Sequence, residues 1–310
     1  MKAADIAVIY QDHYLLIVNK PPGVVIHPTY KHADNTLWDA LLEYTRLQGG
    51  DDWRPPALPD DPGWKLAPPD VQVMLREKRM QRIWKEEGLL ARPSLLHRLD
   101  KDTSGVVALA RTERARRHLV RQFEDHSIVK RYLTVVQKGV PDWCRPRATF
   151  KVTRRSDGSV TDAAAIFSPP YEEYLLDGPL SRDPDDRRRC LVAAGGQTAI
   201  TVVKALASDG GFTLLEARPV TGRTHQIRAH LAALGYAIVG DSTYAPPAAP
   251  GTPQAALARQ FLHAHSLTLR RYPENDLCTF VAPLAPDLLV WLKQCFPIAI
   301  GILLPTPPTI

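Results

Sequence analysis

Cysteine is scarce in this 310-residue chain: Cys144, Cys190, Cys278 and Cys295 are scattered, and none forms a Cys-x-x-Cys pair. That spacing excludes a zinc knuckle and a disulfide scaffold. Neither G-x-x-x-x-G-K-[ST] nor G-x-G-x-x-G occurs, so the two common phosphate-cradling loops are missing. Long apolar runs are missing too. The stretch from Phe296 to Leu304 is broken by Pro297 and Gly301 and is too short to span a bilayer. Met1 to Ile6 lacks the apolar core of a signal peptide, so the expectation is a cytoplasmic protein without a membrane segment.

Charge is present, and it is placed. The formal net charge is +6, yet between Arg76 and Arg155 there are 21 lysines and arginines against 9 acids. The remainder of the chain is therefore net acidic, and this local excess makes nucleic acid the leading partner class. Hydrophobic residues at 45% and charged residues at 23% suit an ordinary globular protein. The length allows a substantial core, read here as one domain over 1–295 with a tail at 296–310.

The densest chemistry lies in His97-Arg98-Leu99-Asp100-Lys101-Asp102-Thr103-Ser104-Gly105. Leu95-Leu96 leads in, Val106 to Ala110 follows as a buried strand, and Thr103-Ser104-Gly105 reads as a turn between them. A carboxylate held where backbone enters a core needs a cation or hydrogen bonds. A structural ion pair of Arg98 with Asp100 would meet that need, and so would a catalytic arrangement.

Upstream, Ile6–Tyr10 and Tyr14–Asn19 read as strands, and Val24 to Pro28 as a third. Lys20 lies in the rigid turn Asn19-Lys20-Pro21-Pro22-Gly23, as a solvated or a functional residue. Thr36 opens a helix to Thr45, and Gly49 to Asp70 reads as a surface loop. A helix from Asp70 to about Glu87 places Val73, Met80, Ile83 and Trp84 on one side and Arg76, Lys78, Arg79, Arg82 and Lys85 on the other. That basic side fits RNA contact or simple solvation. Thr112 caps a further helix to Asp125, with Arg114, Arg116, Arg117 and Arg121 outward as candidate phosphate contacts.

Lys130 to Val136 is a strand carrying Tyr132, whose ring could stack on a flipped base or fill the core. Arg147–Val152 reads as another strand, the section 154–197 as loop-rich embellishment, and Thr198–Ala205 with Phe212–Ala217 as a hairpin. The second dense stretch, Arg218-Pro219-Val220-Thr221-Gly222-Arg223-Thr224-His225-Gln226-Ile227-Arg228-Ala229-His230-Leu231, reads as a turn followed by a helix capped by Thr224. Phe261–Leu269 and Cys278–Ala282 are strands, and a last helix runs to about Cys295.

These motifs, in this order, resemble the large RNA pseudouridine synthase family that modifies uridines in ribosomal and transfer RNA. The likeness covers the 97–105 stretch, the strand start at Tyr132, the 218–231 stretch with its continuation Gly240-Asp241-Ser242-Thr243-Tyr244, and the Asn19–Gly23 turn. Gln48 to Arg92 departs from it and reads as an insertion. Many members carry a separate RNA-binding domain ahead of this region, and the expectation, from the few residues before Ile6, is a chain without one.

The resemblance implies an α+β fold with a mixed, mostly antiparallel sheet in two halves around a central cleft. It also implies isomerisation of uridine to pseudouridine without a cofactor or metal. Asp100 would be the catalytic carboxylate, attacking C1′ or acting as a base on the sugar. Arg228 would pair with it, and Tyr132 would lie against the base. Arg98 would replace the extruded uridine in the stack, while His97 orients the turn. Arg223, His225, Gln226, Arg114 and Arg117 complete the expected RNA contacts.

A metal site built from His225, His230, His263 and His265 is disfavoured, because no acid or cysteine stands at ligand spacing. The partner expected is structured RNA, bound by a monomer with no obligate protein partner. Rival readings are an RNA-binding protein without catalysis, an enzyme on a smaller nucleotide, and a metal-dependent hydrolase.

Overall fold

The computed structural model describes residues 2–28, 34–48, 53–55, 58, 62–64, 66–209, 211–295 and 297. The tail expected at 296–310 lies outside these residues apart from Pro297, as does much of the loop expected at 49–70. In chain order the strands and helices are β1 (Ala7–Gln11), β2 (Leu15–Lys20), α1 (Leu37–Gln48), α2 (Pro69–Glu87), β3 (Leu89–Leu95), β4 (Ser104–Thr112) and α3 (Glu113–Glu124). They continue with β5 (Val129–Lys138), β6 (Lys151–Arg154), β7 (Glu173–Asp177), β8 (Leu180–Arg182), β9 (Cys190–Val192), β10 (Ile200–Asp209) and β11 (Phe212–Pro219). The last are α4 (Gln226–Ala233), β12 (Tyr236–Ile238), β13 (Leu262–Arg270), β14 (Leu277–Val281) and α5 (Pro286–Cys295).

One large sheet runs β1-β2-β4-β13-β5-β11-β10-β7-β6, with β3 added on β4, β12 on β5 and β14 on β13. Every pair among these strands is antiparallel except β4 with β13, so the sheet is mixed and mostly antiparallel, as expected. That parallel pair, His263 with Ser104 and Ala264 with Gly105, joins the N-terminal strands to the rest.

The centre is apolar on both faces because β4 is buried along its whole length. Alternation divides its side chains: Val106, Ala108 and Ala110 join Leu15, Ile17, Ala115 and Leu119 under α3, while Val107 and Leu109 face Leu16, Val18, Leu37 and Leu41. Thr36 opens α1 with a reciprocal cap: its amide and hydroxyl donate to Asp39, and the Asp39 amide donates back to the Thr36 oxygen. Thr112 caps α3 by accepting from the Ala115 amide.

Four expectations need correction. Val24 to Pro28 forms no strand; Val25 and Ile26 spend their carbonyls on the amides that start α1. The section 154–197 holds β7, a main-sheet strand paired with β10 and β6, and the β8–β9 hairpin. Residues 89–92 belong to β3, so the edge of the expected insertion is part of the sheet. On α2, Val73 and Trp84 face solvent, 56% and 50% exposed, and only Glu87 is buried.

Candidate active site

The loop between β3 and β4 and the turn between β11 and α4 face each other across a cleft of about 390 Å³. Asp100 enters it from the first loop, just ahead of β4, where the Thr103 amide donates to the Asp100 carbonyl. Arg228 enters from the first turn of α4, and its Nη1 donates to Asp100 Oδ2 at 3.1 Å.

Arg228 holds a second acid. Its Nε and Nη2 donate to the two oxygens of Asp241 at 2.7 and 2.8 Å. Asp241 is buried, and its Oδ1 also accepts from the amides of Thr243 and Tyr244. Burial is the largest single influence on Arg228 and works against its guanidinium charge, but the bond to Asp241 together with the charges of Asp241 and Asp100 outweighs it and raises the pKa. A fork locked on one carboxylate points its remaining nitrogen at the other.

Tyr132, on β5, lines the same cleft and is 9% exposed; burial and then the charge of Asp100 raise its hydroxyl pKa. Leu262 closes the floor beside it. Lys130 stands on the wall, its ammonium donating to the Thr221 carbonyl at 3.2 Å and pushed down to about 8 by burial.

The loop carrying Asp100 is fixed from beneath. Lys20, fully buried, donates through Nζ to the carbonyls of Pro21, Lys101 and Thr103 at 2.8–2.9 Å. Burial pushes its ammonium down to about 7. A solvated turn lysine is thereby corrected to a brace: three carbonyl acceptors match the three donors of an ammonium. Arg259 donates to the Asp102 carbonyl at 2.9 Å and is itself held by Asp287. The Ser104 hydroxyl donates to Nδ1 of His263, whose Nε2 donates to the Ala282 carbonyl.

The other expected residues divide. His97 lines the cleft, stacks on Phe123, and accepts the Ala108 amide on Nε2. Burial, then Lys130, holds its pKa far below the usual imidazole value, so it is neutral and orients the loop. Arg98 and Arg223 stand exposed at the rim, and Arg98 meets no acid among the described residues. His225 Nε2 lies 3.8 Å from Asp100; burial, then the charge of Arg228, lowers its pKa.

The helix cap is His225, in the left-handed region at φ 55°, and not Thr224 as expected. Gln226 is corrected from RNA contact to turn organiser: Oε1 accepts from Thr221 Oγ1 and the Arg223 amide, and Nε2 donates to Ile200 O and Thr201 Oγ1. Arg114 and Arg117 do not line the cleft. Arg114 pairs with Glu86 and Glu87 of α2, and Arg117 with Glu86 and Glu113.

The histidines weighed as a metal set serve separate purposes. His230 is buried between Thr201 and the Gly178 carbonyl, away from the His263 network. Sequence reasoning missed Asp241, Lys130 and Arg259, and left Lys20 open between a solvated and a functional residue. Only Asp241 carried a local signal, as the acid of the Gly240–Tyr244 continuation.

The family model described as RNA pseudouridylate synthase matches residues 14–233. The chain belongs to that family. It is 33% identical over 276 residues to a protein of Chloroflexus aurantiacus named an uncharacterized RNA pseudouridine synthase, covering 89% of this chain and 65% of the relative. It is 30% identical to the ribosomal large subunit pseudouridine synthase D of Zymomonas mobilis, covering 93% of this chain and 72% of that one. The chain therefore spans 65% and 72% of the length of these relatives.

Among solved structures it is similar to human RNA pseudouridylate synthase domain containing 4, at a TM-score of 0.56 and 21% identity, covering 93% of this chain and 92% of that one. At that identity the likeness speaks to fold, and the fold agrees. Among the described residues no helix is long and apolar enough to cross a membrane.

Proposed function

We propose that this synthase converts one or a few uridines of a structured ribosomal or transfer RNA to pseudouridine, with Asp100 as the reacting carboxylate. The observation that carries the reading is the Asp100–Arg228–Asp241 chain of charge-assisted bonds at the floor of a basic-walled cleft, beside the buried ring of Tyr132.

The reaction breaks the N1–C1′ bond of uridine, turns the detached uracil, and rejoins it through C5. It is redox-neutral, and its demands are a carboxylate, a shielded pocket and a positive surface for the backbone. Asp100 attacks C1′ or acts as a base on the sugar; both routes use its carboxylate oxygens, which the 3.1 Å bond from Arg228 orients. Tyr132 lies against the uracil ring, with its raised pKa keeping the hydroxyl protonated and able to give or relay a proton near C5. Arg98 at the rim takes the place of the extruded uridine, where a guanidinium plane stacks well. Lys130 and Arg223 face the phosphates.

Arg114 and Arg117 drop out of the proposed contacts because Glu86 engages them. The protein works as a monomer in the cytoplasm, and the basic side of α2 adds a second RNA surface to the cleft.

The test maps pseudouridine across total RNA from a strain deleted for the gene, rescued with wild type or with Asp100→Ala. Loss of one or a few sites, restored by wild type alone, is the expected result. If no site is lost while the purified protein still grips RNA, the chain is a binding protein on this fold.

A further inference from the structure

Beside the catalytic cleft lies a second cavity of about 340 Å³, and Arg223 and Thr224 form a wall of both. Its far side is the β8–β9 hairpin, with Leu180, Ser181, Arg182 and Cys190, and Gln197 beyond it. We propose that this cavity is a phosphate subsite in which Arg182, with Arg223, binds the phosphodiester of a nucleotide next to the target uridine. The inference rests on the proposed reaction with RNA and assigns where the strand leaves the cleft.

Three observations support it. First, the acids around Arg182 are already engaged: Asp183 by Arg189 at 2.6 Å, Asp186 by Arg188 at 2.7 Å, and Asp185 by Arg147 at 3.7 Å. Arg182 donates from Nη1 only to the Arg187 carbonyl, so among the described residues its charge has no anionic partner. Arg223 likewise donates from Nε to the Thr198 carbonyl. A backbone carbonyl orients a guanidinium without neutralising it, and leaves further donors for a phosphate.

Second, the hairpin is built to hold its position. Asp183 is fully buried and receives the Arg189 side chain, whose guanidinium also lies 3.8 Å over the Trp143 ring. The strand register is set by Ser181 opposite Leu191 and Arg182 opposite Cys190.

Third, the hairpin is tied to the catalytic residues. Cys190, the strand partner of Arg182, donates its amide to the Tyr244 hydroxyl at 2.8 Å, and that hydroxyl donates back to the Cys190 carbonyl at 2.9 Å. Tyr244 lies under Arg228 and beside His225. The charge of Arg182 contributes to the lowered pKa of His225, after burial and Arg228, so the two cavities share one positive field. An RNA strand with its target base in the first cavity finds the second one step along, walled by the same two residues.

The experiment uses the full-length chain and total RNA from the deletion strain, labelled at uridine C5 with tritium. Tritium leaves when C5 takes the glycosidic bond, which reports the reaction; filter binding of the same RNA reports affinity. Arg182→Ala is expected to weaken binding about ten-fold and to make the log Kd against log salt slope shallower by about 0.7–0.9, the loss of one phosphate contact. Arg182→Lys should keep the wild-type slope, because the charge remains, whereas a purely structural role would leave both slopes equal.

Wild-type affinity and slope in Arg182→Ala, with tritium released normally, would overturn the subsite and leave the proposed function standing. A wild type that releases no tritium would overturn the function, while the shallower slope of Arg182→Ala would still assign the phosphate contact.

Discussion

Arg228 does its work by holding two carboxylates at once, and the two differ in kind. Asp241 is wholly buried and takes two guanidinium nitrogens; Asp100 is partly exposed and takes one. The buried acid thus positions the arginine, and the arginine positions the exposed one. Replacing Asp241 with Asn leaves a buried guanidinium short of its counter-charge, which costs about 3–5 kcal/mol of stability when a buried pair is broken. Tritium release in Asp241→Asn is expected to fall at least ten-fold, with RNA binding near wild type, because the phosphate-facing cations are untouched. Equal losses in binding and turnover would place Asp241 outside this chain of support. Lys20 makes the same point through backbone. Lys20→Met strands three carbonyls of the braced turn and catalytic loop, and at about 1–3 kcal/mol for an unsatisfied buried group the variant should unfold at clearly lower denaturant.

At the scale of elements, the parallel meeting of β4 and β13 decides where the site forms. Gly105, the second residue of β4, has φ 118°, and a Cβ there would collide with the backbone of Ala264 on β13. Gly105→Ala is expected to destabilise the protein by about 3 kcal/mol and to depress turnover, since the displaced strand carries the loop of Asp100. Denaturant midpoints set beside tritium release check both.

The turn expected at Thr103–Gly105 falls instead on Lys101 and Asp102, because Ser104 and Gly105 are drawn into β4 by pairing with His263 and Ala264, a partner 159 residues away. Long-range pairing explains the other misses as well. β7 is five residues among prolines, glycines and acids, and it becomes a strand through β10 on one side and β6 on the other. Lys20 stayed open between a solvated and a functional reading because two of the carbonyls that satisfy it come from a loop more than 80 residues downstream. What was legible was local: the caps at Thr36 and Thr112, the apolar run of β4, and the two dense stretches that bring Asp100 and Arg228 together.

The whole molecule carries a pH dependence set by histidines that do no chemistry. His230 and His263 are fully buried, each with one ring nitrogen donating to a backbone carbonyl and the other accepting from a hydroxyl, which is the neutral form. Burial pushes both down to about 4. In the unfolded chain they titrate near 6.5. Between pH 4 and 6.5 the unfolded state therefore binds two protons at these positions that the folded state refuses, and His97, which burial also holds low, adds in the same direction. The stability they protect is full above pH 6.5 and is lost as pH falls toward 4. Two protons correspond to a slope of about 2.7 kcal/mol per pH unit in that window. Urea denaturation at half-unit steps from pH 4.5 to 7.5 measures it. His263→Gln can accept from Ser104 and donate to Ala282 without titrating, so it should reduce the slope by one proton. A slope unchanged in that variant would mean that acid sensitivity arises elsewhere, in His97 or in the Asp287 carboxylate that Arg259 holds.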